Sequence, residues 1–163
     1  SMSGTFEEID VPPTLCSFAI DVAKEGDIIT PELKTPGNVL VKFDIEHDEY
    51  DIPVFEQVKA LYNSIHELTE NGTIVSAYVC DANGFVPALC KMAFGNKLGF
   101  ALNSDLKEES LFAPAYGCIV AEVAKDKLDN IKTAYTKLGE VKEKAAFTYK
   151  EVSINVEEAL SVW

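Results

Sequence analysis

The sequence predicts an α+β fold in which helices are layered on one face of a mixed β-sheet. Segments rich in β-branched and aromatic residues are interspersed with segments whose apolar residues recur at helical spacing. Their order along the chain is β, α, β, α, β, β, α, β, β, which favours an α+β sandwich. The length of 163 residues and an apolar fraction of 47% suit one domain with a sizeable core.

The N-terminal part of the chain indicates an arm that precedes a compact unit. Residues 6–13 are an extended lead-in, where two consecutive prolines exclude regular structure. Residues 14–22 have strand composition, and residues 24–37 carry turn signals that contain glycine or proline. We therefore expect an arm or linker over residues 1–33 that leads into a compact unit over residues 34–163.

Two segments open the predicted core. Residues 38–45 alternate well enough to form the first core strand. Residues 54–68 form the clearest helix, which Asn71 and Gly72 bring to an end. The apolar stripe of this helix consists of Val54, Phe55, Val58, Leu61, Tyr62, Ile65 and Leu68.

The stretch over residues 71–103 has the pattern of a strand, a glycine turn, a helix, a second glycine turn and a strand. The strands are predicted over residues 73–80 and 98–102, and residues 81–84 form the turn that leads into the helix. The apolar stripe of the helix consists of Phe85, Val86, Leu89, Met92, Ala93 and Phe94. This stretch is nearly all apolar, so we expect it to be the centre of the core.

The C-terminal part predicts one more strand, a helix and a hairpin. Residues 116–124 form the strand, and Asp126 caps a helix that Gly139 ends. The apolar face of this helix would consist of Leu128, Ile131, Tyr135 and Leu138. Residues 140–149 then form two short strands, and residues 151–163 end the chain in an amphipathic turn.

Charge and cysteine usage limit the partners and the compartment. The net charge of −13 repels nucleic acid and anionic membranes, and no apolar run approaches the ~20 residues of a membrane span. Four cysteines without a CxxC pair indicate buried free thiols, as in a cytoplasmic protein. Because there are only two histidines and neither neighbours a cysteine, the sequence predicts no zinc site.

The turn of Asp81, Asn83 and Gly84 is the candidate binding site. A glycine turn that enters a helix presents free backbone N–H groups and the positive end of the helix dipole, and this combination binds phosphate. The opposing interpretation is a plain strand-to-helix turn in which Asp81 or Asn83 is the N-cap. One glycine is not a P-loop, and the motif contains no lysine for a phosphate.

Other catalytic patterns are absent from the sequence. No serine lies in a GxSxG motif, and His47 and His66 are not spaced for a catalytic dyad or triad. The acidic residues between positions 46 and 51 lack the glycine and the spacing of a calcium loop. The sequence therefore predicts no catalytic residue and no metal site in this chain.

Several motifs together resemble the C-terminal type of domain of the aminoimidazole ribonucleotide synthetase superfamily, in the form found in its large ATP- and glutamine-dependent synthases. The ordered set spans almost the whole chain, although each motif is soft. It comprises PTLCSFA at residues 13–19, ITPELK at 29–34, SAY at 76–78, KMAFGNKLGF at 91–100, LFAPAYG at 111–117, LGEV at 138–141 and INVEEALSVW at 154–163.

The resemblance implies a role inside a larger enzyme, in which residues 1–33 are an arm and linker from a preceding domain and residues 34–163 are the C-terminal type of domain. ATP and magnesium are used by a preceding ATP-binding-type domain, a glutaminase domain follows, and this domain closes the cleft with its glycine loop near the substrate phosphate. The family loop contains a serine and a second glycine that residues 81–85 lack, so the resemblance favours a structural copy, inactive alone and without a cofactor of its own.

Two alternatives to this interpretation stay open at this point. The chain is a stand-alone module that binds a phosphorylated metabolite, or a domain of another superfamily member such as a selenophosphate synthetase or a thiamine-phosphate kinase. An excised domain also exposes apolar surface that normally faces its partners, so a homodimer of the isolated chain is a further expectation.

Overall fold

The body of the molecule is a seven-stranded mixed sheet with flanking helices in the computed structural model, which describes residues 2–163. The helices are α1 (Phe55–Glu70), α2 (Phe85–Asn96), α3 (Glu108–Leu111) and α4 (Val156–Val162). The strands are β1 (Met2–Phe6), β2 (Ile9–Thr14), β3 (Val39–Phe43), β4 (Ile74–Val79), β5 (Gly99–Leu102), β6 (Ile119–Val123), β7 (Thr136–Lys142), β8 (Ala146–Tyr149) and β9 (Val152–Asn155).

The order of strands across the sheet is β4-β6-β3-β7-β5-β8-β9. Strands β5 and β8 run parallel, and the other neighbouring pairs run antiparallel. Strands β1 and β2 pair with each other in a separate antiparallel hairpin. The predicted α+β class with a mixed sheet is confirmed.

The helices lie on both faces of the sheet, whereas the sequence predicts helices on one face only. On β3, Val41 and Phe43 join the apolar cluster that contains the buried residues of α1, and Leu40 joins the cluster that contains those of α2. Successive side chains of a strand point to opposite faces, so α1 and α2 cover opposite faces. The near-continuous apolar run of β3 is typical of a strand that is buried on both faces.

A buried carboxylate joins the sheet to residues 34–38, the linker that leads directly into β3. Glu122 of β6 has no exposed surface, and its carboxylate accepts hydrogen bonds from the backbone N–H groups of Lys34 (2.7 Å) and Thr35 (2.9 Å). It also accepts from Asn38 Nδ2 (2.7 Å) and from the Ser76 hydroxyl (3.1 Å). Because four donors share this one carboxylate, the linker, β3, β4 and β6 are held in a fixed arrangement.

The helix predicted from Asp126 to Gly139 is wrong. The segment Lys125–Asn130 forms only a 3₁₀ helix, and Gly139 lies in the middle of β7. A side chain at Gly139 would collide with the Ala101 carbonyl of β5, so the glycine allows two backbones to approach closely. The predicted hairpin is wrong too, because β5 lies between β7 and β8.

The N-terminal arm also differs from its prediction. The strand in this region is β2, which contains both prolines, and residues 15–22 form no regular structure. Proline is tolerated in β2 because the strand belongs to a two-stranded hairpin, where one edge needs no donor. Ser1, the first residue of the predicted arm, lies outside the described residues. Within residues 2–163, no helix has the length and apolar character needed to cross a membrane.

Candidate functional site

The three residues of the predicted site lie together between β4 and α2. Val79 ends β4, the buried Cys80 follows, and the turn then leads to Phe85, the first residue of α2. Asp81 and Gly84 form an isolated antiparallel bridge, which closes the turn. The strand–turn–helix pattern that the sequence predicts is therefore present.

The turn satisfies much of its own hydrogen-bonding capacity. Asp81 Oδ1 accepts from the backbone N–H of Asn83 (2.8 Å) and from Asn83 Nδ2 (3.1 Å). The Asp81 carbonyl accepts from the N–H groups of Gly84 (3.3 Å) and Ala115 (3.0 Å). The hydrogen bond from the Asn83 backbone is the main cause of the lowered pKa of Asp81, and Lys91 lowers it further.

Lys91 is a residue of this site that the sequence motif did not reveal. Its Nζ atom lies 3.7 Å from Asp81 Oδ2 and 5.5 Å from the centroid of the Tyr78 ring. The turn therefore has a nearby cation, supplied from the second turn of α2 rather than from the loop. The spacing of ten positions between Asp81 and Lys91 was the signal available in the sequence, but it becomes meaningful only when the helix direction is known.

Gly84 is required by the packing of the chain itself. Its φ of +84° and ψ of −166° belong to a region open essentially to glycine. A Cβ atom at this position would lie 2.8 Å from backbone atoms of Phe112 and Ala113. The close approach that Gly84 permits is therefore occupied by the chain's own backbone. Gly84 is itself the N-cap of α2, without a side-chain cap, so the capping by Asp81 or Asn83 in the opposing interpretation of the turn is wrong.

A large apolar groove begins at this turn. The α2–β9 groove has a volume of about 1200 Å³ and runs from Asn83 along α2 to the C-terminal residues. Its walls include Val86, Cys90 and Phe94 of α2, Val152 and Ile154 of β9, and Trp163. At its far end, the Phe94 ring lies 5.3 Å from the ring of Trp163, measured between centroids. The groove is thus apolar along most of its length and polar beside the turn.

A smaller cavity of about 280 Å³ lies on the other side of the loop before β6. Lys42 and Asp44 line it, with 2.8 Å between Nζ and Oδ1. Cys118 also lines it, and burial raises the pKa of this thiol.

The acidic loop beside this cavity is held by internal hydrogen bonds, because Asp48 Oδ1 accepts from the N–H groups of Tyr50 and Ile52. Among residues 2–163, no three His, Cys, Asp or Glu side chains are grouped to hold a metal ion.

The sheet and the strand–glycine turn–helix agree with the resemblance to the C-terminal type of domain of the aminoimidazole ribonucleotide synthetase superfamily that the motifs indicate. Similarities to known proteins confirm that resemblance. The chain is similar to phosphoribosylformylglycinamidine synthase subunit PurL of Helicobacter hepaticus, with 26% identity over an alignment of 187 positions, which covers 97% of this chain and 25% of that protein. The PurL subunit of Methanocaldococcus jannaschii is 30% identical over an alignment of 175 positions, which covers 95% of this chain and 24% of that protein.

The chain thus spans about a quarter of the length of these curated relatives. No family model matches it. Among solved structures, phosphoribosylformylglycinamidine synthase II of Thermotoga maritima superposes with a TM-score of 0.68 at 16% identity, covering 83% of this chain and 28% of that one. PurLQS of T. maritima gives a TM-score of 0.69, also at 16% identity and with the same coverage. At this identity the superposition shows the shared fold.

Proposed function

We propose that this chain is one domain of a phosphoribosylformylglycinamidine synthase. The enzyme would convert formylglycinamide ribonucleotide to formylglycinamidine ribonucleotide in de novo purine biosynthesis, with ATP activating the amide oxygen and ammonia from glutamine attacking the carbon. The observation that carries the proposal is the similarity of nearly the whole chain to one quarter of two PurL subunits. The fold shared with T. maritima PurL, which has been solved in complexes with ATP and with FGAR, supports it.

Within that enzyme, this chain would close a cleft whose ATP chemistry lies elsewhere. A preceding ATP-binding-type domain would hold ATP and magnesium, and a following glutaminase domain would supply ammonia in the cytoplasm. The packing of Gly84 supports this division, because the position that the glycine leaves open is filled by the chain's own backbone at residues 112–113. The isolated chain is then an inactive part of a carbon–nitrogen ligase.

The turn of Asp81, Asn83 and Gly84 would face the substrate phosphate in the assembled enzyme. Lys91 supports this role because it places a positive charge beside the turn. Asp81 opposes it, since its carboxylate occupies the N–H group of Asn83 and repels an anion. This balance supports the structural copy of the domain, in which the turn binds phosphate weakly.

A turnover assay of the purified chain tests the proposal. The chain is mixed with formylglycinamide ribonucleotide, ATP, magnesium and ammonia, and ADP release is followed. We expect no release above background from this chain, and release from the full-length parent polypeptide under the same conditions. Sustained ADP release by the isolated chain contradicts the proposed division of labour, and an inactive parent polypeptide contradicts the assigned reaction.

The second candidate is a stand-alone module that binds a phosphorylated metabolite, favoured by the position of Lys91 beside the turn. Titration calorimetry with phosphoribosyl compounds at millimolar concentration separates the two candidates. A stand-alone module gives saturable heat that a Lys91→Ala variant loses and a Lys59→Ala variant, altered on the exposed part of α1, retains. The structural copy, whose turn binds phosphate only weakly, gives heat that does not saturate in this concentration range.

A further inference from the structure

Two cysteines face each other at the end of the paired strands β4 and β6. The antiparallel register places Val79 opposite Ile119, so the next pair along it is Cys80 and Cys118. The N–H group of Cys80 donates to the Cys118 carbonyl (2.8 Å), which continues the pairing by one residue. Opposite residues of an antiparallel pair point to the same face, and both cysteines are buried in the cluster that covers the α2 face. The two side chains are therefore neighbours.

The spacing of this pair suits a disulfide. The Cα atoms of a hydrogen-bonded antiparallel pair lie about 5.5 Å apart, and disulfides join Cα atoms at separations of ~4.4–6.8 Å. The regular pairing ends at this point, because the Cys118 N–H group donates to the Ala115 carbonyl (3.1 Å) and closes a turn. The backbone at Cys118 can therefore adjust to a link between the sulfur atoms without breaking the hydrogen bonds of β6.

The other cysteines of the chain provide a contrast. Burial alone raises the pKa of Cys90, whereas at Cys80 the neighbouring Cys118 adds to the effect of burial. Cys90 lies on α2, and Cys16 is exposed on the arm. Among residues 2–163, the register of the sheet thus places one pair of cysteines opposite each other.

The smaller cavity gives a small oxidant access to Cys118. Cys118 and Asp44 both line this cavity, and Asp44 Oδ1 accepts a hydrogen bond from Cys118 Sγ at 3.7 Å. Its volume of about 280 Å³ is several times the ~30 Å³ of a water molecule, so hydrogen peroxide fits. Cys80 is only 3% exposed and is not part of the cavity wall. Cys118 is therefore the thiol of the pair that an oxidant reaches first.

We propose that Cys80 and Cys118 are a redox modification site, which a peroxide converts to a reversible disulfide beneath the turn of residues 81–84. The link would join the residue before this turn to the end of the loop that packs against Gly84. Disulfides that form inside reducing compartments are typically transient and redox-sensing, and a pair of opposed thiols suits that use. The inference concerns this chain alone and does not depend on the proposed function.

The oxidation proceeds in two balanced steps. The Cys118 sulfur attacks one oxygen of hydrogen peroxide, so an S–O bond forms, the O–O bond breaks, and the departing hydroxide takes up the thiol proton as water. The Cys80 sulfur then attacks the sulfenic acid on Cys118, so the S–S bond forms and the S–O bond breaks. The second hydroxide leaves as water with the proton of Cys80. Two thiols have then lost two electrons, and one peroxide has become two water molecules.

Peptide mass spectrometry of the oxidised 163-residue chain tests the proposal. The folded chain is treated with hydrogen peroxide, free thiols are blocked, and digestion includes cleavage before Asp81, which separates Cys80 from Cys90. We expect the Cys80–Cys118 linkage to form at least about tenfold faster than any linkage of Cys90, because the opposed thiol has a high effective concentration. Treatment with dithiothreitol should restore both thiols.

Oxidation in urea is the matched control, because it uses the same chain without its fold. Loop closure in an unfolded chain favours the closer pair, and Cys80 is ten positions from Cys90 but 38 positions from Cys118. We therefore expect the Cys80–Cys90 linkage to exceed the Cys80–Cys118 linkage in urea. A Cys80–Cys118 linkage that is as frequent in urea as in the folded chain shows that the fold does not select this pair, which overturns the proposal.

Two variants of similar side-chain volume test the order of the steps. In Cys80→Ser, the sulfenic acid on Cys118 meets no thiol, so we expect dimedone to label Cys118 after peroxide treatment. In Cys118→Ser, we expect Cys80 to stay unlabelled, because the cavity does not reach it. Cys90→Ser is the control and should retain the Cys80–Cys118 linkage. Labelling of Cys80 but not of Cys118 in these variants contradicts the assigned first step.

Two results with the unaltered chain also overturn the proposal, whether or not the variants fold. The first is a folded chain in which peroxide oxidises the exposed Cys16 and leaves Cys80 and Cys118 as free thiols. The second is a folded chain in which Cys80 or Cys118 links to a different cysteine at a higher rate. Either result shows that the opposed thiols do not form the modification site.

Discussion

Gly84 shows how one residue determines what the candidate site can do. Its backbone angles and its contact with the 112–113 backbone make it a packing residue of the loop before β6. Asp81 adds to this, because its side chain and carbonyl bond to the neighbouring N–H groups. The polar contribution to a ligand is therefore left to Asn83 and Lys91, at the mouth of the α2–β9 groove.

Substitution of Gly84 by alanine measures this packing role. We expect a loss of about 2–4 kcal/mol in the free energy of unfolding, because the variant combines a strained backbone with a collision against Phe112. Urea unfolding followed by circular dichroism provides the value. Gly26→Ala is the control, since a Cβ atom there meets nothing within 4 Å, and equal stability of the two variants contradicts the packing role.

At the scale of elements, the sequence is informative wherever one period dominates. Helices α1 and α2 lie where the apolar spacing predicts them, and the turn residues follow β4 as expected. The segment before β7 is misleading because Leu128, Ile131 and Leu138 match a helical spacing by coincidence. Strand pairing determines the secondary structure of that segment, since β7 is paired with both β3 and β5. Such non-local pairing cannot be read from a short stretch of sequence.

The sequence likewise predicts only the local part of the candidate site. The glycine turn at the start of α2 follows from local sequence alone, whereas the approach of Lys91 to Asp81 requires the direction of the helix. The contact of Gly84 with residues 112–113 depends on a loop 28 positions further along the chain, which only the folded structure places. The layering of helices on both faces likewise depends on tertiary packing, although the apolar run of β3 hints at it.

The contact between the linker and the sheet yields a prediction about elements. In a Glu122→Gln variant, one acceptor oxygen becomes an amide donor, which then faces two donors: either the Lys34 N–H and the Ser76 hydroxyl, or the Thr35 N–H and Asn38 Nδ2. We expect a loss of about 2–4 kcal/mol in unfolding free energy, because hydrogen bonds to a charged acceptor are lost in a buried position. Denaturant unfolding measures the loss, and Glu49→Gln in an exposed loop is the control. A loss no greater than that of the control contradicts the anchoring role.

At the scale of the whole molecule, buried thiols connect the core to its response to pH. Cys80 lies in the cluster that covers the α2 face, and Cys90 packs against the same cluster. Burial raises the pKa of each of these two thiols to about 12. Cys16 is instead exposed on the arm, so the four thiols differ in accessibility according to their place in the fold.

This difference predicts a loss of stability in alkaline solution. Below about pH 9 the two thiols are protonated in both states, so they add no pH dependence. Above that value the unfolded chain releases protons that the folded chain retains until about pH 12, so unfolding becomes more favourable. The unfolding free energy should fall by up to about 1.4 kcal/mol per pH unit for each thiol. Urea unfolding at a series of alkaline pH values measures the slope, and a Cys80→Ala/Cys90→Ala variant should show a shallower one. An unchanged slope in that variant assigns the alkaline loss to other groups.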